Sequence, residues 1–257
     1  GAPPFVAPLR SAVLNKSVAN KNKNKNKNKN KIAGVGAATA LVPAGALRRL
    51  HAPASASPQA VVHLPWEALL VPPPPGPDET RSETAALLRL QEEHAAERAA
   101  RRADILLEDT LDVSAFTRPL GIDGLAGFEA TKGLFQAILT MCEYVGLLYK
   151  ERFGRPRPNQ VEPRLRPLLP NPPHLAYPSN HAFQCFSIAH AFSSLLPEHP
   201  ASAELFVVAR RVAENREWAG LHFRSDTQAG MALARLFSLH LLEALVEEIA
   251  AAREEWL

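Results

Sequence analysis

The sequence predicts an all-α protein, a single helical bundle behind a disordered, low-complexity leader. Three observations predict it. Apolar residues recur at helical spacing over 79–109, 128–153, 181–196, 201–220 and 225–252. No alternating apolar–polar run of useful length offers a strand. The intervening segments are polar or proline-rich and aperiodic, as connections are. A chain of 257 residues can bury one good-sized core and still carry a flexible end. The expected division is a leader at 1–60 and one domain at 61–257.

The leader comes first. It contains a Lys-Asn alternation from Lys21 to Lys31, which is polar and self-repelling, so it is expected to be disordered. Gly1, in place of an initiator methionine, predicts a processed, tag-cleaved or engineered chain. Residues 32–47 are weakly apolar, follow a basic run and precede the small-residue runs Ala52-Pro-Ala54 and Ala54-Ser-Ala56. That is roughly the layout of a secretory signal peptide, so a periplasmic or secreted location is expected, with a cytoplasmic one as the alternative. The basic charge also belongs to the leader. Its ten basic and no acidic residues leave −7 on 61–257 in a chain whose total is +3. An acidic body gives no footing for a nucleic-acid partner.

Past the leader, Val62 to Val71 is an extended apolar strip, and Pro72 to Asp78 a stiff proline turn. Asp78 or Ser82 is the expected cap of the next helix. That helix, 79–109, is very polar from Glu92 to Arg102, which predicts a break or a solvated face there. Glu92, Glu93 and His94 have no metal-ligand partner nearby and read as part of that face. The helix at 128–153 is apolar on most sides and should be buried. Glu143 and Lys150 interrupt it, so it does not read as a membrane span, and no stable membrane insertion is expected. Residues 154–180 hold many prolines and no period, hence a loop. Cys142 and Cys185 lack paired Cys/His spacing, so they read as buried thiols rather than a zinc site.

Three short segments carry chemistry. They are Lys150-Glu-Arg-Phe-Gly-Arg-Pro-Arg157-Pro158, Pro178-Ser179-Asn180-His181, and Arg216 through Asp226. Lys150, Arg157 and Arg216 are cations suited to an oxyanion: lysine as a point charge, arginine as a planar fork matched to phosphate oxygens. Ser179-Asn180-His181 stands where the proline loop meets a helix start, and unpaired N–H groups there attract anions. His181 could protonate a leaving alkoxide. His222 lies four residues before Asp226, so a helical stretch would put them on one face. The carboxylate would then fix the imidazole tautomer and make the other nitrogen a nucleophile for phosphorus.

These residues resemble the signature of the type 2 phosphatidic acid phosphatase superfamily, which also contains bacterial acid phosphatases and vanadium-dependent haloperoxidases. The pattern K-x6-R-P falls on Lys150, Arg157 and Pro158. P-S-G-H falls on Pro178, Ser179, Asn180 and His181. S-R-x5-H-x3-D falls on Asn215, Arg216, His222 and Asp226. The resemblance implies that Lys150, Arg157, Arg216, Ser179 and the amide of Asn180 bind phosphate. It also implies that His222 forms a phosphohistidine, Asp226 orients it, and His181 is general acid and then base. Leu70 to Asp78 is similar to the opening of soluble class A bacterial acid phosphatases. Two positions depart from the pattern. Asn180 replaces a glycine, and its side chain is expected beside the anion, where it would narrow the pocket or contact substrate. Asn215 replaces a serine and is expected to cap or brace.

The expected activity is a metal-independent hydrolysis of small phosphomonoesters, with no cofactor. The alternative is a haloperoxidase holding vanadate on the same cations and His222, though such enzymes are generally larger. A binding-only relative is the third reading, opposed by the complete signature. Trp218 and Phe223 could wall the pocket but read better as core, and His174 and Tyr177 could touch substrate. The Leu-rich stretch 232–245 would permit a homodimer.

Overall fold

The computed structural model describes residues 42–51 and 64–257. Every regular element among them is helical. In chain order, α1 is Ala44–Leu50, followed by a 3-10 turn at Pro65–Ala68. Next come α2 Pro77–Glu92, α3 Ala95–Ala100, α4 Arg102–Leu107 and α5 Ser114–Thr117. The bundle proper follows with α6 Glu129–Phe153, a single turn α7 Pro158–Val161, α8 Asn180–Leu195, α9 Ala201–Trp218, α10 Arg224–Ala244 and α11 Val246–Glu254.

The centre of the bundle is α8. Its sequence is apolar or small on nearly every face, and it packs against α10, α9 and α6. Phe183, Phe192, Phe135, Phe237 and Trp66 meet around it, all essentially buried. Burying a side chain of this size contributes about 1.5–3 kcal/mol. Two glycines set how closely the helices approach α8. A Cβ at Gly230 of α10 would sit 2.5 Å from the Ser179 carbonyl oxygen, and one at Gly146 of α6 would sit 2.2 Å from Asn180 Oδ1. The start of α8, which carries the histidine motif, is therefore pressed between α6 and α10.

Several expectations change in detail. The polar middle of 79–109 does break, giving α2, α3 and α4. Neither Asp78 nor Ser82 caps α2: the helix begins at Pro77 after Gly76, with no side-chain cap. Proline at the first position removes one of the unpaired helix-start N–H groups and presets the helical φ. Asp78 instead pairs with Arg81 one turn on. The single helix expected over 225–252 is two, α10 and α11, which meet at Leu245 with an 80° bend. No glycine or proline marks that bend. Leu245 is fully buried, and the turn lays α11 across α6.

The leader boundary also moves. α1 lies within the stretch expected to be leader, yet Val42, Ala46 and Leu50 join the core, and the Leu50 carbonyl accepts from Trp66 Nε1 at 2.9 Å. Arg49 reaches the Ala244 carbonyl and Glu247 and Glu248 of α11. Cleavage at Ala54 or Ala56, which a signal-peptide layout implies, would strip α1 from that core. The Lys-Asn tract lies outside the described residues. Among the described residues, no single helix is long and apolar enough to cross a membrane; α10 and α11 pass that test only as a bent pair.

Candidate active site

The three motifs converge where α8 and α10 begin. Ser179 caps α8: its Oγ accepts from the Ala182 N–H at 3.4 Å, and its own N–H donates to the Asp226 carbonyl at 2.9 Å. That backbone bond ties the histidine of one motif to the carboxylate of another. Close approach of the two helices depends on Gly230, as described above.

His222 does not share a helical face with Asp226. It stands in the extended turn before α10, and Asp226 reaches back from the helix's first turn. The pairing holds all the same. His222 Nδ1–H donates to Asp226 Oδ2 at 3.0 Å, and the same oxygen accepts the Phe223 N–H at 3.0 Å, closing the helix start. Both side chains are buried, with Asp226 at 0% exposure. A proton fixed on Nδ1 leaves a lone pair on Nε2, and Arg157 Nη1 donates to that nitrogen at 3.0 Å. That nitrogen thus faces a cation directly.

The other cations are held in distinct ways. Lys150, 0% exposed, donates to the Ala176 carbonyl at 2.8 Å and the Pro178 carbonyl at 2.5 Å, which leaves one of its three protons. Arg157 also donates to the Leu221 carbonyl and the His174 carbonyl, and its Nη2 lies 3.0 Å from His174 Nδ1. Arg216, 1% exposed, uses only Nη2, on the Ile105 carbonyl at 2.9 Å and Glu108 Oε2 at 3.4 Å. Its Nε and Nη1 are buried without a partner. Buried guanidinium N–H groups left unpaired are costly, and a site built to receive an anion explains them.

His181 Nε2 lies 2.9 Å from the Glu108 carbonyl, which can only accept, so that nitrogen carries the proton. Burial holds the imidazoles of both His181 and His222 well below the usual histidine range, and neighbouring cations push further, Arg216 for His181 and Arg157 with Lys150 for His222. His174 is pushed down to about 3, chiefly by desolvation and then by Lys150 and Arg157. Desolvation also lowers Lys150, and takes Arg157 to about 10 against the pull of Asp226. Each shift disfavours more positive charge, and a bound oxyanion would reverse it.

The expected site residues therefore lie together, and the side chains of Asn180 and Tyr177 depart from expectation while the remaining details agree with it. The Asn180 side chain lies against Gly146 on α6, so it turns into the helix groove where a glycine leaves room. Asn215 braces: it takes Arg101 Nη1 on Oδ1 and gives Nδ2 to Glu108 Oε2, both at 2.9 Å. Tyr177 is core, its hydroxyl donating to the Pro72 carbonyl. Phe223 is buried, and Trp218 packs beside Arg101 and His94. Both cysteines are free and buried, with burial pushing the Cys142 thiol up to about 12.

Residues 132–249 match the PAP2 superfamily. No curated protein matches the chain. Among solved structures, it is similar to a transmembrane PAP2 type phosphatidylglycerolphosphate phosphatase from Bacillus subtilis. The two share 19% identity over 64% of this chain and 83% of that one, with a TM-score of 0.47.

The PAP2 segment does not contain the whole constellation. Glu108, 6% exposed, joins Arg216, Asn215 and, through its carbonyl, His181 from just past α4. Arg155 and Glu83 were also missed. Arg155 is 6% exposed and donates to Asp226 Oδ1 at 2.6 Å. The only signal for it is a second Arg-Pro dipeptide, Arg155-Pro156, just before Arg157-Pro158. Nothing in the local sequence sets Glu83 or Glu108 apart from other acids on polar helices. Among the described residues, no group of three or more His, Cys, Asp or Glu is placed to hold a metal ion.

Proposed function

We propose that this protein is a phosphatase that hydrolyses phosphomonoesters through a phosphohistidine at His222. The observation that carries the reading is the His222–Asp226 pair, its free Nε2 facing Arg157, in a site where Arg216 keeps buried, unpartnered N–H groups. Phosphoryl transfer asks a protein mainly for in-line positioning and for charge on the equatorial oxygens. Lys150, Arg157 and Arg216 supply three cations, with the first-turn N–H groups of α8 beside them. A phosphate oxygen would take the place of His222 Nε2 as acceptor for Arg157.

In the first step the Nε2 lone pair attacks phosphorus and the P–O bond to the leaving group breaks. His181, which takes a second proton on Nδ1 when the dianion binds, gives that proton to the departing oxygen and keeps its Nε2–H on the Glu108 carbonyl. The dianion beside His181 raises its proton affinity, which offsets the depression by burial and Arg216. Asp226 stabilises the imidazole as positive charge grows on it. In the second step His181 takes a proton from water, the resulting hydroxide attacks phosphorus and the P–N bond breaks. Inorganic phosphate leaves and His222 is restored.

The test is p-nitrophenyl phosphate hydrolysis by the full chain with EDTA present. His222→Ala should lower kcat at least about a thousandfold, and vanadate should inhibit the wild type. A second arm loads the protein with vanadate and follows bromide oxidation by peroxide. Halide oxidation with negligible hydrolysis would replace this reading with the haloperoxidase one. Hydrolysis that survives His222→Ala would remove His222 from the mechanism.

A further inference from the structure

We propose that Arg155 and Glu83 are positioning residues for His222, forming an ion-pair relay that keeps Asp226 aimed at Nδ1. The relay rests on the phosphatase reading for its effect on rate, but its geometry stands alone. Arg155 Nη1 donates to Asp226 Oδ1 and to Ser225 Oγ, each at 2.6 Å. Its Nη2 donates to Glu83 Oε2 at 2.9 Å, and the guanidinium lies 4.1 Å over the Phe223 ring. Glu83 in turn grips Ser225, accepting its N–H on Oε1 at 2.6 Å and its hydroxyl on Oε2 at 2.8 Å. Both oxygens of Asp226 are thus committed, Oδ2 to His222 and Phe223, Oδ1 to Arg155. The carboxylate cannot rotate without breaking one of these bonds.

An ion pair this buried is weak grounds for a role in stability. α2 has another anchor: Leu87 packs with Leu165 and Phe223 in an apolar cluster, so docking the helix does not require Glu83. The charge is needed elsewhere. Desolvation drives the Asp226 carboxyl upward, and Arg155 is the foremost group opposing it, followed by the Phe223 N–H and Lys150. The other charged or titratable groups around the pair are Arg157, His174 and Tyr177 from the loop, His181 from α8 and Glu83 from α2. α2 lies wholly outside residues 132–249, so the relay extends the site beyond the matched segment.

The test uses the full chain with Arg155→Lys, Arg155→Ala, Glu83→Gln and Glu83→Ala. Misaligning the attacking imidazole should lower kcat on p-nitrophenyl phosphate about 10²-fold in Arg155→Ala. The inhibition constant of inorganic phosphate should stay within about twofold, because the three anion-binding cations are untouched. Loss of the Arg155 cation raises the Asp226 carboxyl, so the acid limb of the kcat profile moves to higher pH. Glu83→Gln should lower kcat more weakly and without that upward move of the acid limb, since it removes a negative charge, and Glu83→Ala should add little on top of Arg155→Ala. Nitrogen-15 spectra of the His222 ring give a readout that needs no activity. The wild type should show the Nδ1–H tautomer, and the variants a mixture. Should Arg155→Ala not fold, the two conservative variants carry the test. Folded Arg155→Lys and Glu83→Gln proteins with wild-type kcat, acid limb and His222 resonances would overturn the relay. A wild type silent in hydrolysis overturns the phosphatase reading instead, and the spectra still decide the relay.

Discussion

Asn180 and Gly146 form a matched pair. The asparagine occupies the first turn of α8, with Oδ1 buried and unpartnered, and a Cβ at position 146 would meet that oxygen at 2.2 Å. Gly146→Ala should therefore overpack the site and cost about 1–3 kcal/mol in urea unfolding. Asn180→Gly removes the colliding group, so the double variant should recover most of that loss, a coupling of about 0.5–3 kcal/mol. Simple additivity of the two changes would show that the residues do not compete for the same space. At this scale the sequence was most informative where a residue's chemistry is itself the signal. Lys150, Arg157, Ser179, His181, Arg216, His222 and Asp226 were all legible and all meet. The direction of the Asn180 side chain was not, because it depends on a glycine 34 positions earlier on a different helix. Glu83 and Glu108 were hidden for the same reason: an acid on a polar helix looks solvated until its partners are known.

At the scale of elements, α6 is held at both ends. Its C-terminal turn carries Lys150 into the site, and its N-terminal turn is capped from the far end of the chain. Glu255, just past α11, accepts the Ala130 N–H at 2.6 Å, the Thr131 N–H at 2.8 Å and the Thr131 hydroxyl at 2.7 Å. These are helix-start donors with no partner inside the helix, and a carboxylate there also complements the helix dipole. Trp256 Nε1 adds a bond to the Thr131 hydroxyl at 3.0 Å. Glu255→Ala should lower unfolding free energy by about 1–2 kcal/mol, seen as a lower urea midpoint with an unchanged slope. An unchanged midpoint would mean that water replaces the carboxylate without loss. The bend at Leu245 that makes this contact possible was invisible in the sequence. Local pattern continues through it, and tertiary packing alone stops the helix. The broken helix at 92–102 was visible, since its polar run has no apolar face to bury.

At the scale of the whole molecule, three imidazoles held neutral lie near Lys150, Arg157 and Arg216, and that has a consequence for stability. His222 and His181 are held well below the ordinary range and His174 is taken to about 3, with burial the leading cause in each. An unfolded chain binds protons at these groups below about pH 6.5, whereas the folded chain does not until far lower pH. The sign follows: stability is fully present above about pH 6.5 and falls as the pH drops towards the folded values, through about pH 3 for His174. Between pH 6.5 and 5 most carboxylates are still ionised, so a loss in that window reports mainly the histidines. Urea unfolding from pH 8 to pH 5 should therefore show a steady decline in stability. Inorganic phosphate should oppose it by binding only the folded state, with a gain of about 2.7 kcal/mol at a hundred times its Kd. At equal free concentration of the phosphate dianion the gain should be larger at pH 6 than at pH 8, because the anion favours the protonated rings and so binds more tightly. A flat stability profile from pH 8 to 5 would show that the three rings are already charged or solvated in the folded protein, and the nucleophile would then lack its free Nε2 pair at mildly acid pH.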